Sequence, residues 1–251
     1  MEIIKTKRNK PPKILIHGEG GIGKSTLAAS APRPLFIQTE DGLSSIDADA
    51  FPICQSYNDI YQQLQHFYKN NKDMKYETLV LDTLDWAEKL INESVCKENE
   101  VDSISDFNYG KGFQYSFEKF ENILKGLDAI AKDCNVAIIL IAHTQVKTYQ
   151  NPLGENYDMF KIKLREKNSE LFIEWSDLIG FIHFETFISK KKEGFKETKK
   201  AVGGSNRILS CYPHAAWTAK NRYSITEDIP ISKETGISNL LNIIKKDNKK
   251  K

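Results

Sequence analysis

Gly18-Glu-Gly-Gly-Ile-Gly-Lys-Ser25 is the stretch that decides the fold. It satisfies G-x-x-x-x-G-K-[ST] at every position, the Walker A or P-loop pattern. It stands directly behind the apolar run Lys13-Ile-Leu-Ile-His17. Glycines at 18, 20, 21 and 23 let the backbone take positive-φ conformations, so that successive N–H groups turn toward one anion. Lys24 brings a mobile positive charge to the β- and γ-phosphates, and the Ser25 hydroxyl is placed to ligate Mg²⁺. Thr26-Leu-Ala-Ala-Ser-Ala31 continues as a helix whose N-terminal dipole faces the phosphates, and Pro32 ends it. The expected nucleotide-binding set is Gly18, Glu19, Gly20, Gly21, Ile22, Gly23, Lys24, Ser25 and Thr26. A glycine-rich turn can match the letters by chance, but a strand before and a helix after are the flanks of a phosphate loop. The chain is expected to bind a nucleoside triphosphate.

Composition bounds what surrounds that loop. The 251 residues are 40% hydrophobic and 28% charged, enough for one α/β domain with a sizeable core. No apolar run approaches the roughly 18 residues of a membrane span, and the N-terminus lacks the apolar core of a signal peptide. Cys54, Cys96, Cys134 and Cys211 lie far apart without CxxC pairing, the pattern of reduced thiols in a cytoplasmic protein. Net charge is only +2, but the cations are bunched: Lys5, Lys7, Arg8, Lys10 and Lys13, then Lys190 to Lys200, then Lys245 to Lys251. Both terminal runs read as solvated tails.

Outward from the loop, Leu35-Phe-Ile-Gln-Thr39 reads as a second strand ending in Glu40-Asp-Gly42, and residues 58–68 have helical spacing. Tyr76-Glu-Thr-Leu-Val-Leu-Asp82 is an apolar strand capped by an acid. Behind a complete Walker A motif that is the Walker B pattern, with Asp82 holding the Mg²⁺ water shell and Thr83 a secondary candidate for orienting water. Residues 85–99 read as a helix. Phe107-Asn-Tyr-Gly-Lys-Gly-Phe113 reads either as a mobile loop touching phosphate or base, or as a plain turn into the amphipathic helix 115–133. Val136-Ala-Ile-Ile-Leu-Ile-Ala142 fits a central strand buried on both faces. His143-Thr-Gln145 follows at its carboxyl end, where α/β sheets bind ligand; His143 is a candidate γ-phosphate sensor or an ordinary hydrogen-bonded histidine.

From residue 146 the pattern changes. Residues 146–168 are polar and aromatic, with Tyr149, Tyr157, Phe160, Lys147, Lys161, Lys163, Arg165 and Lys167. A short helix at 169–175, a strand at 178–188, a hairpin tip at 190–195 and a return at 197–202 are expected. Short strands at 207–211 and 216–219 complete an antiparallel extension, and a peripheral helix follows at 236–246. Alternating strands and helices through residue 142 predict an α/β fold with a mostly parallel sheet flanked by helices. The expected division is a basic tail at 1–12, an ATPase core at 13–235, and a C-terminal helix with a lysine-rich tail at 236–251.

Glu40, Asp82, His143 and the late Lys220-Asn-Arg222 stand in the order seen in RecA-like P-loop ATPases. Three further segments narrow the resemblance: Thr39-Glu-Asp-Gly-Leu43, Tyr109-Gly-Lys-Gly112 and Ala219-Lys-Asn-Arg222. With these the chain resembles phage-encoded RecA-like single-strand annealing and recombination proteins over residues 13–223. The resemblance implies ATP and Mg²⁺ as cofactors, with Ser25 and Asp82 at the metal. It implies a catalytic set of Lys24, Asp82, Glu40 as the carboxylate that orients attacking water, and His143 as the sensing residue. Lys220 and Arg222 resemble the paired cations that such proteins insert into a neighbour's ATP site, and i, i+2 spacing on a strand puts both on one face. Residues 144–163 correspond to a DNA-binding loop, whose lysines and tyrosines suit phosphate contact and base stacking.

The Walker A motif begins at residue 18, so the N-terminal polymerisation segment of full-length recombinases is not expected, nor is their C-terminal DNA-gating domain. The resemblance therefore carries ATP binding but not filament formation or full strand exchange. The expected protein is an ATPase that binds single-stranded DNA, supports annealing or recombination, and works as a homo-oligomer in the cytoplasm of a phage's host. A single-strand-binding protein is a further expected partner, and no membrane is involved. Two other readings compete. One is a nucleotide-gated loader or switch acting on a replication partner such as a helicase, which would bind a protein in its ATP state and DNA little. The other is a small-molecule phosphotransferase, whose arginine-rich lid and compact acceptor site have no counterpart in the sequence.

Overall fold

β1 (Lys13–Gly18) carries side chains that alternate between two cores: Leu15 belongs to one buried cluster, Ile14 and Ile16 to the other. A strand buried on both faces must be apolar throughout, which is why the run reads Ile-Leu-Ile rather than alternating with polar residues. The computed structural model describes residues 10–193, 196–232 and 235–250. The basic stretch through residue 9, residues 194–195 of the hairpin tip expected at 190–195, residues 233–234 and residue 251 lie outside the described residues, while 190–193 are strand.

The elements follow in chain order. After β1 come α1 (Lys24–Ala29), β2 (Pro34–Gln38), β3 (Asp49–Ala50), α2 (Tyr57–Met74), β4 (Thr78–Asp82) and α3 (Leu84–Glu98). Two short 3-10 turns (Ile104–Asp106, Asn108–Gly110) lead into α4 (Lys111–Asp133), followed by β5 (Ala137–Tyr149), β6 (Tyr157–Ile162) and α5 (Glu166–Trp175). β7 (Leu178–Glu193), β8 (Lys196–Ser210), β9 (Lys220–Asn221), β10 (Ile229–Ile231) and α6 (Ser238–Lys250) complete the described chain.

The sheet runs β10-β8-β7-β1-β5-β4-β2-β3. From β7 to β3 neighbouring strands are parallel. β8 and β10 extend that sheet antiparallel beyond β7. β5 lies between β1 and β4, so the strand bearing the phosphate loop and the strand ending in Asp82 are separated by one strand. This is the expected α/β architecture, a mostly parallel sheet flanked by helices with antiparallel strands toward the C-terminus. Odd and even residues of the central strands divide between the two cores: Ile138 and Leu140 of β5 pack with α2, α3 and α4, Ile139 and Ile141 with α1 and α6.

Several expectations change. The strand expected at 136–142 continues to Tyr149, and residues 144–163 form a hairpin rather than a loop. β5 pairs in parallel with β1 as far as Gly18 opposite His143, then antiparallel with β6 from Thr144 opposite Ile162 to Tyr149 opposite Tyr157. The apolar run stops at Ala142 because only the part inside the sheet is buried on both faces. The helix expected to be peripheral is packed in: Ile237, Leu240 and Ile244 are buried against the α1 side of the sheet. It is also fastened there, since the Ile237 amide donates to Ser30 Oγ (2.8 Å), which itself donates to the Leu27 carbonyl (2.6 Å) at the end of α1. The separate strands expected at 197–202 and 207–211 are one strand, β8, while 216–219 forms no strand: Trp217 makes isolated bridges to Phe160 and His214, and the short β9 follows at Lys220–Asn221. Tyr109-Gly-Lys-Gly112 is a turn into α4, with Gly112 tucked against Phe107 and the Tyr109 ring fully exposed.

Candidate active site

The carboxyl ends of β1, β2, β4 and β5 meet at one edge of the sheet and bring the expected residues together there. Gly23 takes a left-handed φ of 99° at the start of α1, and Gly21 a φ of 72°. Gly18 is needed for another reason: a Cβ there would stand 2.6 Å from the Ile182 carbonyl oxygen of β7, the neighbouring strand. Of the four glycines expected to curl the loop, then, two do so by positive φ and one admits a close backbone approach. Glu19, Gly20 and Thr26 are exposed, while Ile22 is buried behind the loop.

Lys24 is buried and its ammonium donates to the Gly18 (3.2 Å) and Glu19 (2.8 Å) carbonyls. Burial lowers its pKa, opposed by the charges of Asp82, Asp85 and Glu40. Ser25 Oγ donates to Asp82 Oδ2 at 2.6 Å, although the two are 57 residues apart. Asp82 is buried at the end of β4, and burial raises its pKa against the pull of Ser25 and Lys24. A hydroxyl and a carboxylate side by side are hard oxygen donors of the kind Mg²⁺ takes together with phosphate oxygens and waters, so the donor set fits that ion.

Glu40 follows β2, whose pairing with β4 is prolonged by Thr39: its amide donates to the Asp82 carbonyl at 2.8 Å. Thr39 Oγ1 also donates to the Thr83 carbonyl and accepts from the Thr83 amide, both at 2.7 Å, which fixes Glu40 beside the end of β4. Glu40 Oε1 lies 4.0 Å from His143 Nε2. Burial raises the Glu40 pKa, His143 lowers it, and Asp82 and Asp85 raise it; the net direction is up. The Thr83 hydroxyl is buried and has no hydrogen-bond partner among the described residues.

The residue the sequence did not single out is Asp85. It stands in the first turn of α3, and its nearly buried carboxylate accepts the His143 backbone amide at 3.0 Å and faces His143 Nδ1 at 2.9 Å. Burial pushes its pKa up, but the hydrogen bonds from the His143 ring and backbone outweigh this and hold the carboxyl below its ordinary value. Asp85 thus fixes His143, whose other ring nitrogen faces Glu40 at 4.0 Å, beyond hydrogen-bond distance. An acid just past the Walker B strand was the available signal; its partner 58 residues on was not visible. Lys163 Nζ, at the foot of the β5–β6 hairpin, lies 4.0 Å from the same Asp85 carboxylate.

Lys220 and Arg222 are not in this cluster. β9 pairs with Leu178 and Ile179, which sit beside Ile14 and Leu15 at the opposite end of β1 from the phosphate loop. Lys220 Nζ donates to the Ile173 and Glu174 carbonyls at 2.7 Å, closing the end of α5, and Arg222 pairs with Asp177 at 2.8 Å. The two side chains take different partners rather than acting as one two-pronged contact within the subunit.

Residues 10–223 match the AAA domain family, and the chain belongs to that family. An SPbeta prophage-derived uncharacterized protein, YorG, of Bacillus subtilis (strain 168) is 29% identical over 134 residues. That stretch is 52% of this chain and 40% of the relative, so the chain spans less than half of the relative's length. The crystal structure of the KaiC-like protein PH0186 from Pyrococcus horikoshii OT3 is similar over 89% of this chain and 86% of that one, at 12% identity and a TM-score of 0.44. Membership of that family makes this a P-loop ATPase domain, a class that binds nucleotide. No helix among the described residues is long and apolar enough to cross a membrane.

Proposed function

We propose that this chain is an ATPase that binds single-stranded DNA and supports strand annealing or homologous recombination, in a phage setting. The observation that carries the reading is the β5–β6 hairpin, which grows directly out of the strand bearing His143. Its register puts Gln145, Lys147 and Tyr149 of β5 on one face with Tyr157 and Lys161 of β6. Tyr149 and Tyr157 lie 5.1 Å apart, and Lys161 sits 6.0 Å over the Tyr149 ring. Cations to neutralise phosphates and rings to stack on bases, side by side, are what a single strand needs. The prophage origin of YorG is in keeping with a phage role.

In the ATPase step, Lys24 and the loop amides hold the triphosphate, Ser25 and Asp82 would hold Mg²⁺, which when bound would supply charge neutralisation, and Glu40 orients the attacking water. Asp85 holds His143, which faces Glu40. Lys220 and Arg222, away from their own phosphate loop, serve the neighbouring site of a homo-oligomer.

The test is ATP hydrolysis with and without a single-stranded oligonucleotide. A several-fold stimulation that fades as salt rises supports the reading. An unstimulated rate, with ATP-dependent binding to a helicase or polymerase and no affinity for DNA, would replace it with a nucleotide-gated loader.

A further inference from the structure

Arg207 stands outside every motif named so far, yet it touches the phosphate loop. It lies on β8, opposite Phe184 of β7 and Ile231 of β10, two strands removed from β1. Its Nη1 donates to the Ile22 carbonyl at 3.3 Å. The approach is so close that a Cβ built on Gly23 would fall 2.3 Å from the same nitrogen. Among the described residues no carboxylate pairs with this guanidinium, and its one described hydrogen-bond partner is a loop carbonyl. An arginine held against a main-chain turn without an acid to neutralise it is placed for the turn.

The physical consequence follows from peptide geometry. In a trans peptide the C=O and the next residue's N–H point in opposite directions. The carbonyl of Ile22 and the amide of Gly23 belong to one such unit, so a donor that holds the carbonyl on one side turns the amide to the other. An anion nest works only while its N–H groups converge. At Gly23 (φ 99°) no side chain restricts the backbone, so an outside contact has most to contribute there.

We propose that Arg207 is a positioning residue of the nucleotide site, reaching across from the antiparallel extension to hold the Ile22–Gly23 peptide in its phosphate-binding orientation. This rests on the reading of residues 18–25 as the nucleotide loop. It also gives Gly23 a second reason to be glycine, since any side chain would displace the guanidinium.

The test measures binding of a fluorescent ATP analogue and of inorganic tripolyphosphate to the full chain and to Arg207→Met and Arg207→Lys, beside the melting temperature of each protein without ligand. Methionine keeps the length and removes the donors; lysine restores a charged donor. Arg207→Met is expected to weaken both ligands about tenfold, the size of one missing charge-assisted hydrogen bond, and Arg207→Lys to recover most of that. The melting temperature is expected to stay unchanged in both. Wild-type affinity in Arg207→Met overturns the proposal. So does equal weakening in both variants with a matching fall in melting temperature, which would make Arg207 a packing residue of the sheet. Failure of the unsubstituted chain to bind either ligand, with Lys24→Ala no different, would sink the nucleotide-loop reading and this inference with it.

Discussion

Asp82 is buried at the end of β4 and Glu40 is half-buried just past β2; both have raised pKa values, and what each touches separates their roles. Asp82 holds Ser25, whereas Glu40 faces His143. Glu40→Gln is therefore expected to bind ATP·Mg²⁺ normally and turn over at least about tenfold more slowly, because orienting water matters mainly in the transition state. Single-turnover hydrolysis beside a binding titration checks this, and near-normal turnover would hand the role to Thr83. Asp85→Asn removes the charge that holds His143 while keeping the shape, so the expected result is unchanged ATP affinity and a smaller loss of kcat than in Glu40→Gln. An unchanged kcat would mean that the Asp85–His143 contact only supports the fold. His17 offers a test of stability. It is fully buried, Nε2 faces the Thr218 carbonyl at 2.7 Å and must carry the proton, and Nδ1 accepts from Thr144 at 3.0 Å. Burial takes its pKa from an ordinary 6.5 to about 4. The unfolded chain thus binds this proton at a higher pH than the folded one, and stability is full above pH 6.5 and lost as pH falls toward 4. The loss at the bottom of that window is on the order of 3 kcal/mol. Urea unfolding between about pH 7 and about pH 5 is expected to show that slope in the natural chain and less of it in His17→Gln; equal slopes would rule His17 out as the source.

The β5–β6 hairpin is the element where DNA binding is most directly tested. Lys147→Ala/Lys161→Ala is expected to weaken single-stranded DNA binding and to flatten its salt dependence, by a slope of about 0.7 for each phosphate no longer neutralised. Titrations at several salt concentrations measure both, and an unchanged slope would move DNA elsewhere on the molecule. This hairpin also marks how far the elements were legible. The phosphate loop could be read outright because its neighbouring residues carry all of its chemistry, and Glu40, Asp82 and His143 could be read because strand ends are visible as the ends of apolar runs. β5 beyond Ala142 and β8 were misjudged because strands outside a doubly covered sheet need not be apolar. Asp85 was read as an ordinary helix start, since nothing local reveals a partner that folding brings from the middle of β5. Lys220 and Arg222 were readable as a pair but not in their placement: Lys220 closes a helix end and Arg222 pairs with Asp177.

At the scale of the whole molecule, the proposed action of Lys220 and Arg222 in a neighbouring subunit's site is open to a direct test. A cation supplied across an interface is worth about 10³–10⁵ in rate in well-studied cases, so hydrolysis should rise with protein concentration. The decisive measurement mixes Glu40→Gln with the Lys220→Ala/Arg222→Ala double variant. The double variant's intact Glu40 site can receive intact cations from the other chain, and recovered ATPase on mixing is the expected outcome. A mixture that exchanges subunits and stays inactive would remove the shared site. The sheet also bears on how such a machine would be driven. β5 is a single unbroken strand of 13 residues, with His143 at its midpoint, rooted in the core on one side and standing clear with β6 on the other. The part beyond His143 makes an arm of about 20 Å. Because no slack joint separates arm from root, a tilt imposed at Tyr149 reaches His143 as leverage rather than dying out along the way. The strand is a stiff handle whose pivot lies at His143, beside Glu40.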